Sequence, residues 1–291
     1  MFWLILSILS VSGLFIMFKI IDKTNTPLIN ALVINYLVAT IIGFIYTKSF
    51  NLSEIIFSDW FFAGVFIGIL FIVTFFILGL STNKIGISIS TVASKMSVIV
   101  TILFSVFAFH ENISVLKIIS IIFSIIAVFF CIYKPNKEKQ KTKKIFIFLP
   151  IILFLGMGTV DSLVVFSKET FPELQDNFIA AKFTSTAFGV SFITGLFYTF
   201  IKPKLLKNYL KKETLIFGTI LGLINFGSIY FVIRTLNANI TDNSIIYGIV
   251  NISCVAISVL IGKIFFKERL TALNYIGISL SVITLILLNF S

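Results

Sequence analysis

The sequence predicts an all-α integral membrane protein with ten transmembrane helices in two inverted five-helix repeats, and three observations carry that prediction. Of 291 residues, 58% are apolar and only 12% charged, with a mean hydropathy of +1.10, a balance foreign to a soluble domain. Ten apolar runs reach the roughly 20 residues that a helix needs to cross a bilayer. The order of short motifs in the first half of the chain recurs in the second.

The first run, 2–21, lacks the basic start and small-residue cleavage site of a secretory signal and is expected to span the membrane itself. Runs at 28–47, 59–81, 87–109 and 114–133 follow and complete a first repeat, 1–133. A basic linker, 134–144, then divides the chain, and the second repeat, 145–291, carries runs at 145–168, 178–201, 213–236, 244–266 and 272–290. Pro27, Pro135, Pro172 and Pro203 fall at connections, and Pro150 falls in an opening turn where proline is tolerated. No proline therefore predicts a helix broken in mid-membrane. Cys131 and Cys254, the two cysteines, lie inside apolar runs as small hydrophobes, with no disulfide framework implied.

Matched blocks define the repeat. Phe109-His-Glu-Asn-Ile-Ser114 is echoed by Phe266-Lys-Glu-Arg-Leu-Thr271, which sets Glu111 on Glu268. Ser120-x-x-x-Ser124 falls on Gly277-x-x-x-Ser281, and Gly64-x-x-x-Gly68 in the third run is matched by Gly218-x-x-x-Gly222 in the eighth. Small residues one turn apart let helices approach closely. Because each repeat holds an odd number of spans, the second copy crosses in the opposite sense to the first, an arrangement suited to alternate exposure of one central site.

The candidate functional residues begin with Lys95. From a helix start near Ile87 it lies about 12 Å down the run, too deep for its stem to reach an interface comfortably. A lysine at that depth costs on the order of 3 kcal/mol on insertion scales, so it is expected to face a polar cavity or a partner. Ser88, Ser90, Thr91, Ser94, Ser97 and Thr101 make the same run rich in hydroxyls. The competing structural reading is a lysine that snorkels or pairs, among hydroxyls bonded back to their own helix.

The repeat pattern resembles the drug/metabolite transporter superfamily, specifically its EamA-like ten-helix members. The likeness covers essentially the whole chain and includes the acidic residues Glu111 and Glu268 at the fourth-to-fifth and ninth-to-tenth junctions. It extends to a polar residue after a proline at the start of the second and seventh spans. That position is often arginine in the family and is Asn35 and Lys182 here. The resemblance implies a transporter without naming a substrate. It also implies that spans one to four and six to nine line a central cavity while spans five and ten stay peripheral.

On that layout Lys95, Asp161 and Lys182 lie on lining spans. Asp161 and Lys182 flank the short connection between the sixth and seventh spans and are expected to form a structural or coupling ion pair. Lys95 is then the unmatched charge, which favours an anionic or zwitterionic solute. Ser94, Asn35, Asn225, Tyr230, Tyr247 and Asn251 are candidate hydrogen-bonding contacts to it, each with an alternative role as interhelical glue. Arg234, near a helix end, is expected as an interface anchor.

The functional reading is a secondary active transporter for a small polar metabolite, without catalytic residues, cofactor or metal. An intramembrane enzyme using Lys95 or Asp161 and a non-transporting receptor or scaffold are the alternatives. His110 is the single histidine, so no multi-histidine metal site can form, and no P-loop is present for ATP. The expected partners are the solute and membrane lipids, with the chain a monomer or homodimer. The net charge of +11 marks membrane flanks rather than nucleic-acid binding. Seventeen of the 23 Lys and Arg residues lie in or beside connections 1–2, 3–4, 5–6, 7–8 and 9–10, against four on the opposite side. Basic loops stay cytoplasmic, so this bias predicts non-cytoplasmic termini in the plasma (inner) membrane.

Overall fold

The computed structural model describes residues 1–48, 51–110, 114–133, 146, 148–236, 238 and 243–290. The helices before residue 134 are α1 (Phe2–Lys23), α2 (Leu28–Thr47), α3 (Leu52–Ile56), α4 (Phe61–Lys84), α5 (Ile87–Met96), α6 (Val98–Phe109) and α7 (Val115–Ile132). Those after it are α8 (Leu149–Thr170), α9 (Asn177–Ile201), α10 (Pro203–Leu206), α11 (Lys212–Leu236), α12 (Asn243–Ile264) and α13 (Ala272–Leu288). Among the described residues, nine helical stretches are long and apolar enough to cross a membrane, α5 and α6 counting as one, and α13 is a further apolar helix of 17 residues. The protein is therefore an all-α integral membrane protein with about ten spans. Glu111 lies outside the described residues.

The fourth span departs from expectation. Its helix is interrupted at Ser97, between α5 and α6, without a proline. The Ser97 hydroxyl bonds back to the Ser94 carbonyl, the type of serine back-bond that bends helices. The Val100 N–H reaches the Ser97 carbonyl at 2.9 Å, a bond three residues back rather than four. Ser124 of α7 donates to the Met96 carbonyl at 3.3 Å, so this carbonyl keeps a partner inside the membrane, as lipid surroundings demand.

Two compact units make up the chain. The first comprises Met1–Lys19, Ile77–Thr159 and Gly227–Ser291. In it α7 packs along α13, and α5 packs against both α12 and α7. Ile89, Val92, Met96, Val128, Cys131, Val255, Ile278 and Leu285 form its main apolar cluster. Gly277 lets α13 close on α7, since a β-carbon there would lie 2.7 Å from the Ala127 carbonyl oxygen. Asn274 serves twice, completing a capping box with Thr271 at the start of α13 and donating to the Phe130 and Cys131 carbonyls at the end of α7.

The second unit comprises Ile20–Phe76 and Val160–Phe226, and its centre is the pairing of α2 with α9. Both glycine motifs work here. Gly68 of α4 meets α9 at Ala187 and Val190, while Gly218 and Gly222 of α11 meet α2 at Ile34 and Val38. Tyr36, wholly buried, donates to the Phe71 carbonyl at 3.1 Å and packs on Phe75 and Phe188. The connector after α9 is tied down by Asn30, which donates to the Leu205 carbonyl, and by the 3.0 Å contact of Tyr209 with Thr199. Burial pushes the Tyr209 phenol up, against the lowering effect of its bonds to Thr199 and Asn30.

Candidate functional site

In the first unit, Lys95 is the penultimate residue of α5. The break that ends α5 places this ammonium beside the negative end of a short helix, which favours a cation by about 0.3–1 kcal/mol. That is a small return against the cost of the depth. The side chain is half-buried, and among the described residues it makes no hydrogen bond or ion pair. The Cys254 thiol on α12 lies within its electrostatic reach and in hydrogen-bonding contact with the hydroxyls of Ser12 on α1 and Ser258. Ser94, on the preceding position, is 5% exposed.

The same face of α12 carries Tyr247, Asn251, Cys254 and Ser258, spaced by four, three and four residues, as a single helical stripe requires. Asn251 is half-buried and Tyr247 exposed at 48%. Tyr230 sits elsewhere in the unit, in an aromatic group with Trp3 and Phe231. Arg234 lies 4.9 Å over the Trp3 ring, a cation–π contact in keeping with an anchor.

The N-terminus of α5 is held by a residue from the far end of the sequence. Glu268 accepts from the Ile87 and Ser88 backbone N–H groups and from the Ser88 hydroxyl at 2.7 Å. A carboxylate at a helix start satisfies orphan donors and complements the helix dipole. The fit depends on two glycines. Gly86 has φ +128°, which side chains avoid, and a β-carbon on it would lie 2.7 Å from the Glu268 carboxylate. One on Gly262 would lie 2.6 Å from the same group. The sequence marked Glu268 by its repeat position; its role as the external cap of the Lys95 helix is visible only in the fold.

In the second unit, Lys182 Nζ lies 2.6 Å from Glu54 Oε1, a partner to which the sequence did not point. Glu54 is brought to Lys182 by α3, whose Ile55 joins Trp60, Phe183 and Leu174 in one buried cluster. The residue after each charge is thus part of the packing that sets the pair. Asn35, also in this unit, is fully buried, and neither atom of its amide is hydrogen-bonded. Asn225 is 2% exposed and Asp161 is exposed.

The structure therefore brings Lys95 together with a polar face of α12 and places Asn35, Asn225, Asp161 and Lys182 in the other unit. Sequence reading missed Ser12 and Ser258, because serines in apolar runs are common and only the fold sets these two beside one thiol near the lysine.

Among the described residues Lys95 is a half-buried intramembrane cation without an ion pair, a feature that points to a solute pathway. The comparison with known families agrees. Residues 1–133 match the model of the EamA-like transporter family, which assigns the first half of the chain to the EamA-like transporters and bears out the resemblance read from the residues. A Haemophilus influenzae protein described as an uncharacterized protein is 25% identical over 285 residues, covering 96% of this chain and 94% of its own length. The first 133 residues are thus similar to transporters of the drug/metabolite type.

Proposed function

We propose that the chain is a secondary active carrier, with no catalytic role, that moves a small anionic or zwitterionic metabolite across the plasma (inner) membrane by alternating access of its two five-helix repeats. The observation that carries the reading is Lys95, half-buried in a span and without ion pair or hydrogen bond among the described residues. An ammonium so placed is favoured only if a ligand with negative charge visits it. The solute itself supplies the missing counter-ion, with Ser94 beside Lys95 on α5, and Tyr247 and Asn251 on the face of α12 that carries Cys254, as the groups to share in its recognition.

Purified protein in liposomes tests this. A metabolite panel should contain a solute that is taken up chemically unchanged, with flux lost in Lys95→Met. An altered solute would point to an enzyme, and saturable binding without flux to a receptor. The charge bias further supports a topology with both termini outside the cytoplasm. A C-terminal reporter that fluoresces only when folded in the cytoplasm should stay dark, and a bright fusion would reverse that orientation without touching the carrier reading.

A further inference from the structure

The connection that follows α9 gathers Lys202, Lys204, Lys207, Lys211 and Lys212 within eleven residues. Among the described residues no carboxylate lies within ion-pair distance of any of them. Leu210, 88% exposed, stands among these lysines, and such a mixture of basic and apolar groups suits a segment lying at a membrane surface. The connection is tied to its own unit by the Asn30 bond to the Leu205 carbonyl at 3.1 Å and by the contact of Tyr209 with Thr199.

Against this connection, within the second unit, lies a cavity of about 510 Å³, inside the range of about 300–1,000 Å³ common for small-molecule sites. Ile29 of α2, Phe76 of α4 and Leu205 of α10 give it apolar walls, and Tyr198, Lys202 and Lys204 line it as well. Lys202 donates to the Tyr198 hydroxyl at 2.7 Å, and both lysines are exposed. The charges sit where a span ends, since Lys202 is the residue that closes α9. Phe76 lies eight residues before the end of α4, about 12 Å in at about 1.5 Å per residue. The cavity therefore runs from a cationic rim toward the hydrocarbon.

We infer that this cavity binds one anionic phospholipid, its phosphodiester against the Lys202 and Lys204 ammoniums and an acyl chain along Ile29, Phe76 and Leu205. The lining selects that chemistry. A soluble polar metabolite would lose hydration against the apolar walls without gaining hydrogen bonds there, whereas burial favours an acyl chain. A phosphodiester presents anionic oxygens to the two ammoniums. A zwitterionic phospholipid brings its own cation to the same lysines and loses much of that attraction. Basic pockets between spans on the cytoplasmic side suit anionic headgroups, and the charge bias supports that side for this connection. The inference goes beyond the carrier reading and does not depend on it, because Lys95 belongs to the other unit.

Native mass spectrometry of the full chain in an uncharged detergent, with thermal-shift titrations beside it, tests the assignment. The probes are phosphatidylglycerol, phosphatidylcholine with the same acyl chains, and glycerol 3-phosphate. One phosphatidylglycerol should stay bound per chain and stabilise it, about tenfold more tightly than phosphatidylcholine. Lys202→Gln and Lys204→Gln should each weaken that binding about fivefold, and Lys211→Gln, on the same connection but outside the lining, by less than about twofold. Equal affinity for phosphatidylcholine would reveal an apolar groove without headgroup recognition, and equal affinity for glycerol 3-phosphate a site for soluble anions. Either result overturns the inference. So does an equal loss in Lys211→Gln, which would mean diffuse attraction to the basic connection in place of a pocket. All three lysines are exposed, so the glutamine variants keep the fold, and unliganded thermal stability near wild type will verify this.

Discussion

The two lysines buried in apolar runs, Lys95 and Lys182, have opposite surroundings. Lys182 enters α9 only five residues from its start and holds Glu54 at 2.6 Å, with side chains 15% and 55% exposed. Lys95 lies at the far end of α5, beside a helix break, with no carboxylate bonded to it among the described residues. The first cation has its counter-charge built in; the second has none among the described residues. The difference teaches that depth and an apolar flank do not by themselves make a membrane lysine functional. What matters is whether the fold has already neutralised it.

The sharpest way to break the comparison is to neutralise each lysine separately. Lys95→Met should reduce flux of the eventual solute a hundredfold or more, while Lys182→Met should reduce it less than threefold, measured on equal amounts of folded protein. Equal losses would erase the distinction. The helix that carries Lys95 offers the next test. Glu268→Ala strands the Ile87 and Ser88 N–H groups and should cost about 2–3 kcal/mol of stability, and Glu268→Gln, which keeps one acceptor oxygen, about half as much. Thermal denaturation gives the totals, and faster amide exchange at residues 87 and 88 would locate the loss.

Gly68 and Gly64, one turn apart on α4, provide a smaller contrast within the second unit. A β-carbon on Gly68 would lie 2.5 Å from the Ala187 carbonyl oxygen, whereas one on Gly64 meets the Phe183 ring at 3.5 Å and the Thr186 methyl at 3.9 Å. Gly68→Ala should therefore destabilise by about 1–3 kcal/mol and Gly64→Ala by less than about 0.5 kcal/mol, read from thermal unfolding in detergent. The smallest effect is expected for the Glu54 and Lys182 pair. With Glu54 more than half exposed, solvent screening limits their coupling to about 0.2–1 kcal/mol in a double-mutant cycle of Glu54→Gln with Lys182→Met. A larger coupling would show that this pair, too, sits in low dielectric.

The helical plan was legible because each span is a long apolar run ended by charges or turn residues. The second span matches its expected 28–47 bounds, and the seventh differs by one residue. The glycine motifs were legible as contact points, though not their targets, α9 for Gly68 and α2 for Gly218 and Gly222. The break at Ser97 was hidden because it follows from serine back-bonding and a receptive Ser124, neither of which has a sequence signature as clear as proline. Glu54 was hidden for another reason. The five-residue α3 is too short to announce itself by periodicity, and only its packing through Ile55 brings the carboxylate to Lys182.

The pairing of α7 with α13 has a consequence for the surrounding bilayer. Their 18 and 17 residues correspond to about 27 and 25 Å of helix, against about 30 Å of hydrocarbon in a typical membrane. Longer helices in the same protein can tilt to fit, but a short pair cannot lengthen. Lipids bordering α7 and α13 must shorten by a few ångströms to cover the apolar flank, at a cost of fractions of a kcal/mol per ångström. Bilayers of short-chain lipids should therefore hold it with less elastic strain than thick ones.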